Sequence, residues 1–292
     1  NPKFDKDKFE KEKKVILEEI KMYHDNPRTA VMEQIEKNMY EKPFGELVIG
    51  SEKTVSGLKR DFVADYFKKM YSPEHFIVTV VGDADFLRIC DYFEKNFFKG
   101  KLSLKKPKIQ MKKGESIEER AGIDQAHFVF AIHAPLPSED DFYVLEILDA
   151  YLANGMSSRL FLEIREKRGL AYAVSSSIDA EKNYSFYNIY AGTVKKSIPE
   201  VKKIIIEEIG NVKEMKEKDF AEAQERVLGL KKVRSEESIG VMNELMFSEL
   251  SGNAEDYYNY EKNIKKVRLE DVKRLAAMLL KKGYSSAAIV PK

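Results

Sequence analysis

The segment from Arg165 to Tyr172 combines residue types that could stabilise a reacting carbonyl group. It reads Arg-Glu-Lys-Arg-Gly-Leu-Ala-Tyr, with basic residues crowding the end of a predicted helix and Gly169 suited to ending it. A guanidinium and a phenol that point into one cleft could donate hydrogen bonds to a peptide carbonyl and to the oxyanion of a tetrahedral intermediate. The alternative is structural, because basic residues complement a helix C-terminus and a tyrosine commonly begins a strand.

A second pair with the same spacing, Glu12 and Glu19, lies far upstream on a predicted helix. Seven residues advance a helix by about 700°, which places the two carboxylates within about 20° of each other. They share a face with Phe9, Ile16 and Ile20, and this face is expected to be buried. Buried carboxylates need a partner, which could be a metal ion, an arginine or a lysine. Pairing with basic side chains at the margin of the apolar face remains the alternative to a metal site.

The histidines do not form a recognisable zinc pair. The four are His24, His75, His127 and His133, and neither His-x-x-x-His nor His-x-x-Glu-His occurs. The last two lie six residues apart on a predicted strand and hence on one face, where packing is expected rather than metal binding. The sequence also contains neither a glycine-rich phosphate loop nor a Gly-x-Ser-x-Gly nucleophile elbow.

Composition narrows the functional classes. The 292 residues include 50 basic and 49 acidic side chains, for a net charge of +1. This balance argues against a dedicated nucleic-acid-binding or membrane-surface protein. No apolar run approaches the roughly 18 residues that a membrane span needs. The single cysteine, Cys90, rules out an internal disulfide and fits a reducing, cytoplasmic compartment.

Hydrophobic periodicity predicts an α/β protein of two units joined by a linker. In the first unit, 1–98, we expect a buried strand at Phe76–Val81 and helices over about 5–24, 28–40, 56–70 and 83–98. Residues 99–120 are rich in Lys, Pro and Gly, which predicts the linker. The second unit, 121–292, is expected to contain strands over 125–133, 170–180, 184–194 and 287–290, and helices over 139–153, 156–168, 197–214, 216–233, 236–250, 254–264 and 269–281.

An internal repeat connects the two units. Lys68–Ser72 and Lys281–Ser285 share the pattern Lys-Lys-x-Tyr-Ser, and each ends a predicted helix and leads into a strand. Duplication explains this matching context better than chance recurrence does. Because the second unit begins near Gln125, its counterpart would begin roughly ninety residues before Asn1. The first unit is therefore expected to be incomplete, with open sheet edges and apolar helix faces.

These motifs together resemble the M16 metallopeptidases, the inverzincin group that includes pitrilysin, insulin-degrading enzyme and mitochondrial processing peptidase. The resemblance covers nearly the whole chain and is closest to the bacterial processing-protease-like members. Phe9–Tyr23 with the following Asp-Asn-Pro resembles the segment that supplies the third zinc ligand. This implies Glu19 as a metal ligand and Glu12 as the acidic neighbour behind it.

The second-domain signature of the family is similar to Gly155–Phe161 and Arg165–Val174. The resemblance implies that Arg165 and Tyr172 contact the substrate carbonyl and the transition state. It also implies two similar α+β domains that face each other across a closed chamber, each with a mostly antiparallel sheet covered by helices. The first of them would be incomplete here, because the family's His-x-x-Glu-His helix would fall before Asn1.

The implied function is that of a zinc-dependent metalloendopeptidase that hydrolyses peptides or unfolded proteins. Zn²⁺ is expected in the intact protein, whereas this chain alone is expected to bind none and to be inactive, since catalytic zinc uses three protein ligands. The alternative is a non-catalytic structural or substrate-recruiting subunit. In either case the open surfaces favour homodimer formation or pairing with the missing N-terminal segment.

Overall fold

The computed structural model describes residues 2–97 and 107–292. Its central element is a five-stranded sheet in the order β1-β5-β2-β4-β3. Neighbouring strands are antiparallel except β1 and β5, which run parallel. The strands are β1 (Glu115–Arg120), β2 (Ala126–His133), β3 (Ala171–Glu181), β4 (Tyr184–Thr193) and β5 (Ser285–Pro291). This mostly antiparallel sheet, covered by helices, is the architecture that the sequence predicted.

The helices agree with the predicted ones to within a few residues, with two exceptions. The predicted helix 56–70 begins only at Arg60, after a separate short helix at Glu52–Ser56 that was not predicted. The predicted helix 156–168 is largely a π-helical segment at Phe161–Glu166. The N-terminal helices are α1 (Lys6–Asp25), α2 (Pro27–Met39), α3 (Glu52–Ser56), α4 (Arg60–Met70) and α5 (Phe86–Asn96). The C-terminal helices are α6 (Asp141–Leu152), α7 (Ile198–Asn211), α8 (Glu217–Arg234), α9 (Ser238–Ser251), α10 (Asp256–Lys266) and α11 (Leu269–Lys282).

The larger hydrophobic core lies between one face of the sheet and the helices α6, α7, α8 and α11. Alternate residues of β2 point into it, namely Phe128, Phe130 and Ile132, as the two-residue period of a strand requires. Leu148 of α6 and Leu275 of α11 fill it from the helical side and are fully buried. This side of the sheet therefore holds most of the apolar burial that stabilises the fold.

Helix α2 covers the opposite face of the sheet, although the sequence analysis assigns it to the first unit. Its Val31 and Ile35 are fully buried in one cluster with Val129 of β2 and Ile289 of β5. Asn38 also donates a hydrogen bond of 2.9 Å to a backbone carbonyl of β5. The N-terminal part of the chain thus contributes to the core around the C-terminal sheet.

The predicted linker is structured at its C-terminal end. Glu115–Arg120 forms β1, which pairs with β5, and Met111 forms a β-bridge with Tyr40. The linker prediction is wrong for these residues. They form an edge strand, and its mostly charged side chains do not show the alternation of apolar and polar residues by which a strand is recognised. Residues 98–106, which include the first eight residues of the predicted linker and the last residue of the predicted helix 83–98, lie outside the described part of the chain.

The predicted buried strand at Phe76–Val81 is wrong in this structure. The segment forms no strand, and Phe76, Val78 and Val80 are 45%, 52% and 51% exposed. A strand requires a neighbour to satisfy its backbone, and the described residues supply none at this place. Together with α4 and α5, which have no fully buried residue, residues 76–80 form what we call the α4–α5 surface. It confirms the expectation of open apolar faces in the first unit.

Candidate active-site residues

Three of the basic residues around the π-helical segment are engaged by carboxylates. Lys167 and Arg168 both donate to Glu163, at 2.5 Å each, and Arg159 donates to Glu208 at 2.9 Å. The hydrogen bonds from Lys167 and then Arg168 hold the pKa of the Glu163 carboxyl below its usual range. These contacts are structural, since each cation already has its counter-charge.

Arg165 differs from these neighbours. Its guanidinium lies over the Phe161 ring, with Cζ 4.9 Å from the ring centroid. Within the described residues its ion pair is loose, at 3.7 Å from Nε to Glu166 Oε1, and its side chain is 46% exposed. π-Helical turns occur frequently at functional sites, and here one presents a guanidinium whose donors remain available.

Tyr172 lies at an irregularity in the pairing of β3 with β4, between Ala171 and Ala173. Its ring rests directly on Gly192 of β4, where an added Cβ would stand 2.4 Å from Tyr172 Cζ. Only glycine leaves room for the ring in this position. The side chain is nevertheless 47% exposed, so one face of the ring packs on Gly192 while the phenol remains accessible to a ligand.

A polar network orients the Tyr172 phenol. Its hydroxyl is hydrogen-bonded to Tyr190, and the Tyr190 hydroxyl lies 2.8 Å from Nδ1 of His127. The Arg28 guanidinium stacks on the Tyr190 ring, with Cζ 4.6 Å from its centroid. Burial, followed by the positive charges of Arg28 and Arg120, lowers the pKa of His127, which keeps its ring neutral at pH 7.

Sequence reasoning missed the supporting members of this network. His127 was assigned to packing, and Arg28, Tyr190 and Gly192 were not singled out. The strand residues among them reach Tyr172 only through register, since His127 stands opposite Gly192. Arg28 instead contacts Tyr190 from helix α2. The two-residue period places His127 on one face of its strand, but without the pairing of three strands it does not identify the neighbour.

The structure does not bury the pair Glu12 and Glu19. Both are exposed, and α1 has no fully buried residue, so the expectation of a buried apolar face around them is wrong here. Helix α1 packs on α2 and α3, whereas the π-helical segment packs on β3. Among the described residues, no group of three or more His, Cys, Asp or Glu side chains could hold a metal ion. The described residues therefore do not form a zinc site by themselves.

His133, the other histidine of β2, is buried beneath α2. Its ring packs edge-on against Tyr40, with centroids 5.1 Å apart, and its Nε2 lies 3.0 Å from the carbonyl oxygen of Lys112. Burial is the main cause that lowers the pKa of His133. The packing that was expected for this residue is confirmed.

The stability of the chain is expected to fall as the pH drops below about 6.5, where an unfolded histidine gains its proton. Folded His133 takes up that proton only at lower pH, so protonation favours the unfolded state by up to about 1.4 kcal/mol per pH unit. Denaturant titrations of wild type and His133→Gln should converge towards acid pH. His24→Gln, at an exposed position, is the control. A stability difference that does not change with pH would contradict this assignment.

The comparisons with known proteins identify the family. A model described as the peptidase M16 inactive domain matches residues 57–227, more than half of the chain. The chain belongs to the peptidase M16 family. It is 29% identical over 300 residues to "Uncharacterized zinc protease YmxG" of Bacillus subtilis, a match that covers 99% of this chain and 72% of that protein. The resemblance inferred from the motifs is thereby confirmed.

Two solved structures share the fold. A protease from Helicobacter pylori superposes with a TM-score of 0.90 at 18% identity, covering 98% of this chain and 73% of that one. The peptidase M16 inactive domain from Pseudomonas fluorescens superposes with a TM-score of 0.88 at 18% identity, covering 100% and 72%. Three curated relatives of this M16 chain are longer proteins, and the chain spans 64% to 72% of their length. No helix in the described ranges has the length and apolarity needed to cross a membrane.

Proposed function

We propose that this chain is part of a zinc-dependent metalloendopeptidase of the M16 family and that it contributes Arg165 and Tyr172 to peptide hydrolysis. The observation that carries the proposal is the placement of two hydrogen-bond donors. The Tyr172 phenol is half-exposed and is held by Gly192 and Tyr190. Its strand packs against the π-helical segment that carries the available Arg165 guanidinium. Tyr172 would donate to the oxyanion and Arg165 would hold the substrate carbonyl. The zinc-protease names of the relatives support this reaction class.

The metal would require ligands beyond the described residues. We propose Glu19 as one ligand of the intact protein's Zn²⁺, with Glu12 behind it. The exposure of both carboxylates on α1 leaves them open to contacts with further protein. Because catalytic zinc is held by three protein ligands, this chain alone is expected to be inactive. The single Cys90 supports a reducing location, which we take to be the cytoplasm.

The α4–α5 surface is proposed to be covered in the intact assembly. Its depression of about 1040 Å³ is lined mainly by apolar side chains such as Phe76, Val78 and Phe93. Exposed apolar patches of this kind mark contacts with other protein segments. The occupant would be a second copy or a part of the M16 fold that this chain does not include. The same surface favours the alternative function, a non-catalytic structural or substrate-recruiting subunit. Such a subunit needs a surface that docks on another protein but no catalytic residues.

Arg165→Gln separates the two functions when it is made in the full reading frame. For a peptidase, the longer product should bind one zinc ion and cleave unfolded peptides, and the substitution should lower kcat/KM about tenfold or more, because a charge-assisted hydrogen bond is lost. Lys167→Gln is the matched control, since its ammonium is engaged by Glu163. A longer product that binds no zinc and cleaves nothing would support the subunit instead.

A further inference from the structure

One imidazole and two phenols form a chain of hydrogen bonds across the strands β2, β4 and β3. The Tyr190 hydroxyl lies 2.8 Å from His127 Nδ1 and is also hydrogen-bonded to the Tyr172 hydroxyl. Tyr190 is 4% exposed, whereas Tyr172 is 47% exposed. The chain of hydrogen bonds therefore runs from a partly buried imidazole, through a buried phenol, to a phenol that a ligand can reach.

Strand register sets the order of these three residues. His127 of β2 stands opposite Gly192 of β4, and the Tyr172 ring rests on the same glycine. Adjacent strands are about 4.8 Å apart, so β2 and β3 are separated by about 10 Å of sheet. Tyr190 lies two residues before Gly192 on the same face of β4, and its ring centroid is 6.0 Å from that of His127. Its hydroxyl thus connects the outer two residues.

The number of protons limits how these hydrogen bonds can point. A phenol donates one hydrogen bond, and a neutral imidazole donates from one of its two nitrogens. Burial, followed by the positive charges of Arg28 and Arg120, lowers the pKa of His127, so its ring is neutral at about pH 7.5. Within the described residues the buried Tyr190 hydroxyl has two polar neighbours, so its proton goes to one of them and its oxygen accepts from the other.

The proposed role of Tyr172 selects one direction. A phenol that donates to an oxyanion has used its only proton, and its oxygen can then only accept from Tyr190. Tyr190 has in turn used its proton on Tyr172, so its oxygen must accept from His127 Nδ1. The reverse direction would turn an oxygen lone pair of Tyr172 towards the ligand, where it would repel the negative oxyanion.

We propose that His127 carries its proton on Nδ1 and donates to Tyr190, which donates to Tyr172, so that the Tyr172 O–H is directed at the ligand before substrate binds. This inference rests on the proposed peptidase function of Tyr172. His127 is a positioning residue in it, because it acts through Tyr190. Donors that are oriented in advance favour catalysis, since they need no reorganisation during the reaction.

Long-range proton–nitrogen NMR spectra of the ligand-free chain at about pH 7.5 test this direction without zinc or catalysis. We expect the His127 ring to be protonated at Nδ1 and unprotonated at Nε2, and His127→Asn identifies its signals by removing them. Two histidines that face carbonyl oxygens are internal references for the two forms. His75 Nδ1 lies 2.9 Å from the Met70 oxygen, and His133 Nε2 lies 3.0 Å from the Lys112 oxygen. Protonation of His127 at Nε2, or equal populations of both forms, would overturn the proposal.

Kinetics of the proposed intact peptidase provide a second test. Asparagine can place an amide N–H where His127 has Nδ1, whereas leucine has a similar shape and no donor. We expect His127→Asn to keep most of kcat. His127→Leu should lower kcat about fivefold or more with little change in KM, because one hydrogen bond no longer orients the Tyr190 hydroxyl. If His127 only fills space, the two variants should lower kcat equally, and that result would contradict a positioning role.

The two tests distinguish this inference from the function on which it rests. If His127 is protonated at Nε2 while Tyr172→Phe still lowers kcat/KM, the hydrogen-bond direction is wrong and the peptidase function remains. If Nδ1 is protonated and Tyr172→Phe has no effect, the direction is supported and Tyr172 has no role in hydrolysis.

Discussion

Tyr172→Phe is expected to lower kcat/KM of the proposed intact peptidase by about 100-fold or more, the loss typical of one removed oxyanion donor. The phenylalanine ring can keep its place on Gly192, so the packing beneath it is retained. KM should change little, because the hydroxyl acts in the transition state rather than in substrate binding. Steady-state cleavage of a fluorogenic peptide by wild type and variant measures the effect.

Tyr258→Phe serves as the control, since Tyr258 is exposed and contacts only the ring of Tyr257 among the aromatic pairs of the described structure. It should retain wild-type kinetics. An unchanged kcat/KM in Tyr172→Phe would remove this phenol from the mechanism and leave it as a structural residue at the start of β3. A drop in both variants would indicate a general effect of losing tyrosine hydroxyls.

Gly192→Ala is the second substitution with a large expected effect, because the new Cβ would stand 2.4 Å from Tyr172 Cζ. The ring must move, which costs about 1–3 kcal/mol of stability in an overpacked site. In the proposed intact peptidase the displaced phenol should also lower kcat/KM by about as much as Tyr172→Phe does, because the same donor is lost. Denaturant unfolding of the chain itself measures the first effect, without any need for catalysis.

A double-mutant cycle identifies the cause of this loss. Once Tyr172→Ala has removed the ring, Gly192→Ala should cost almost nothing more, because the two residues interact only through that contact. Gly229→Ala, in the interior of α8 with no atom within 4 Å of the added Cβ, should instead stabilise the chain by up to about 1 kcal/mol. Additive effects of the two substitutions at Tyr172 and Gly192 would show that the ring does not rest on Gly192.

Much of the secondary structure and one part of the candidate site follow from local patterns. The helices α6 to α11 and the hairpin of β3 and β4 repeat their apolar residues at the helical or strand period, which needs no knowledge of neighbours. Gly169, with a positive φ of 59°, ends the helical turn at the expected position. Arg165 and Tyr172 could be singled out because both lie in one short motif between a helix and a strand, and their role in catalysis stays a prediction.

Other features depend on which segments meet in three dimensions. Helix α2 was assigned to the first unit, yet its apolar residues complete the core of the C-terminal sheet, because burial depends on the surface that a helix meets. Phe76–Val81 has the composition of a buried strand but no partner strand within the described residues, so it remains exposed. Glu12 and Glu19 share a helix face as calculated, but no neighbouring element buries that face.

The network around Tyr172 shows why local patterns predicted some features and tertiary contacts decided the others. A single sequence specifies the period of each strand, and therefore which side chains share its two faces. It does not specify the register between strands, and a shift of one residue would turn every side chain to the other face. The pairing of β2, β4 and β3 is what brings His127, Tyr190 and Gly192 together beneath one phenol. Non-local hydrogen bonds and core packing set that register. The Arg165–Tyr172 motif could therefore be recognised in the sequence, whereas the residues that surround the Tyr172 phenol could not.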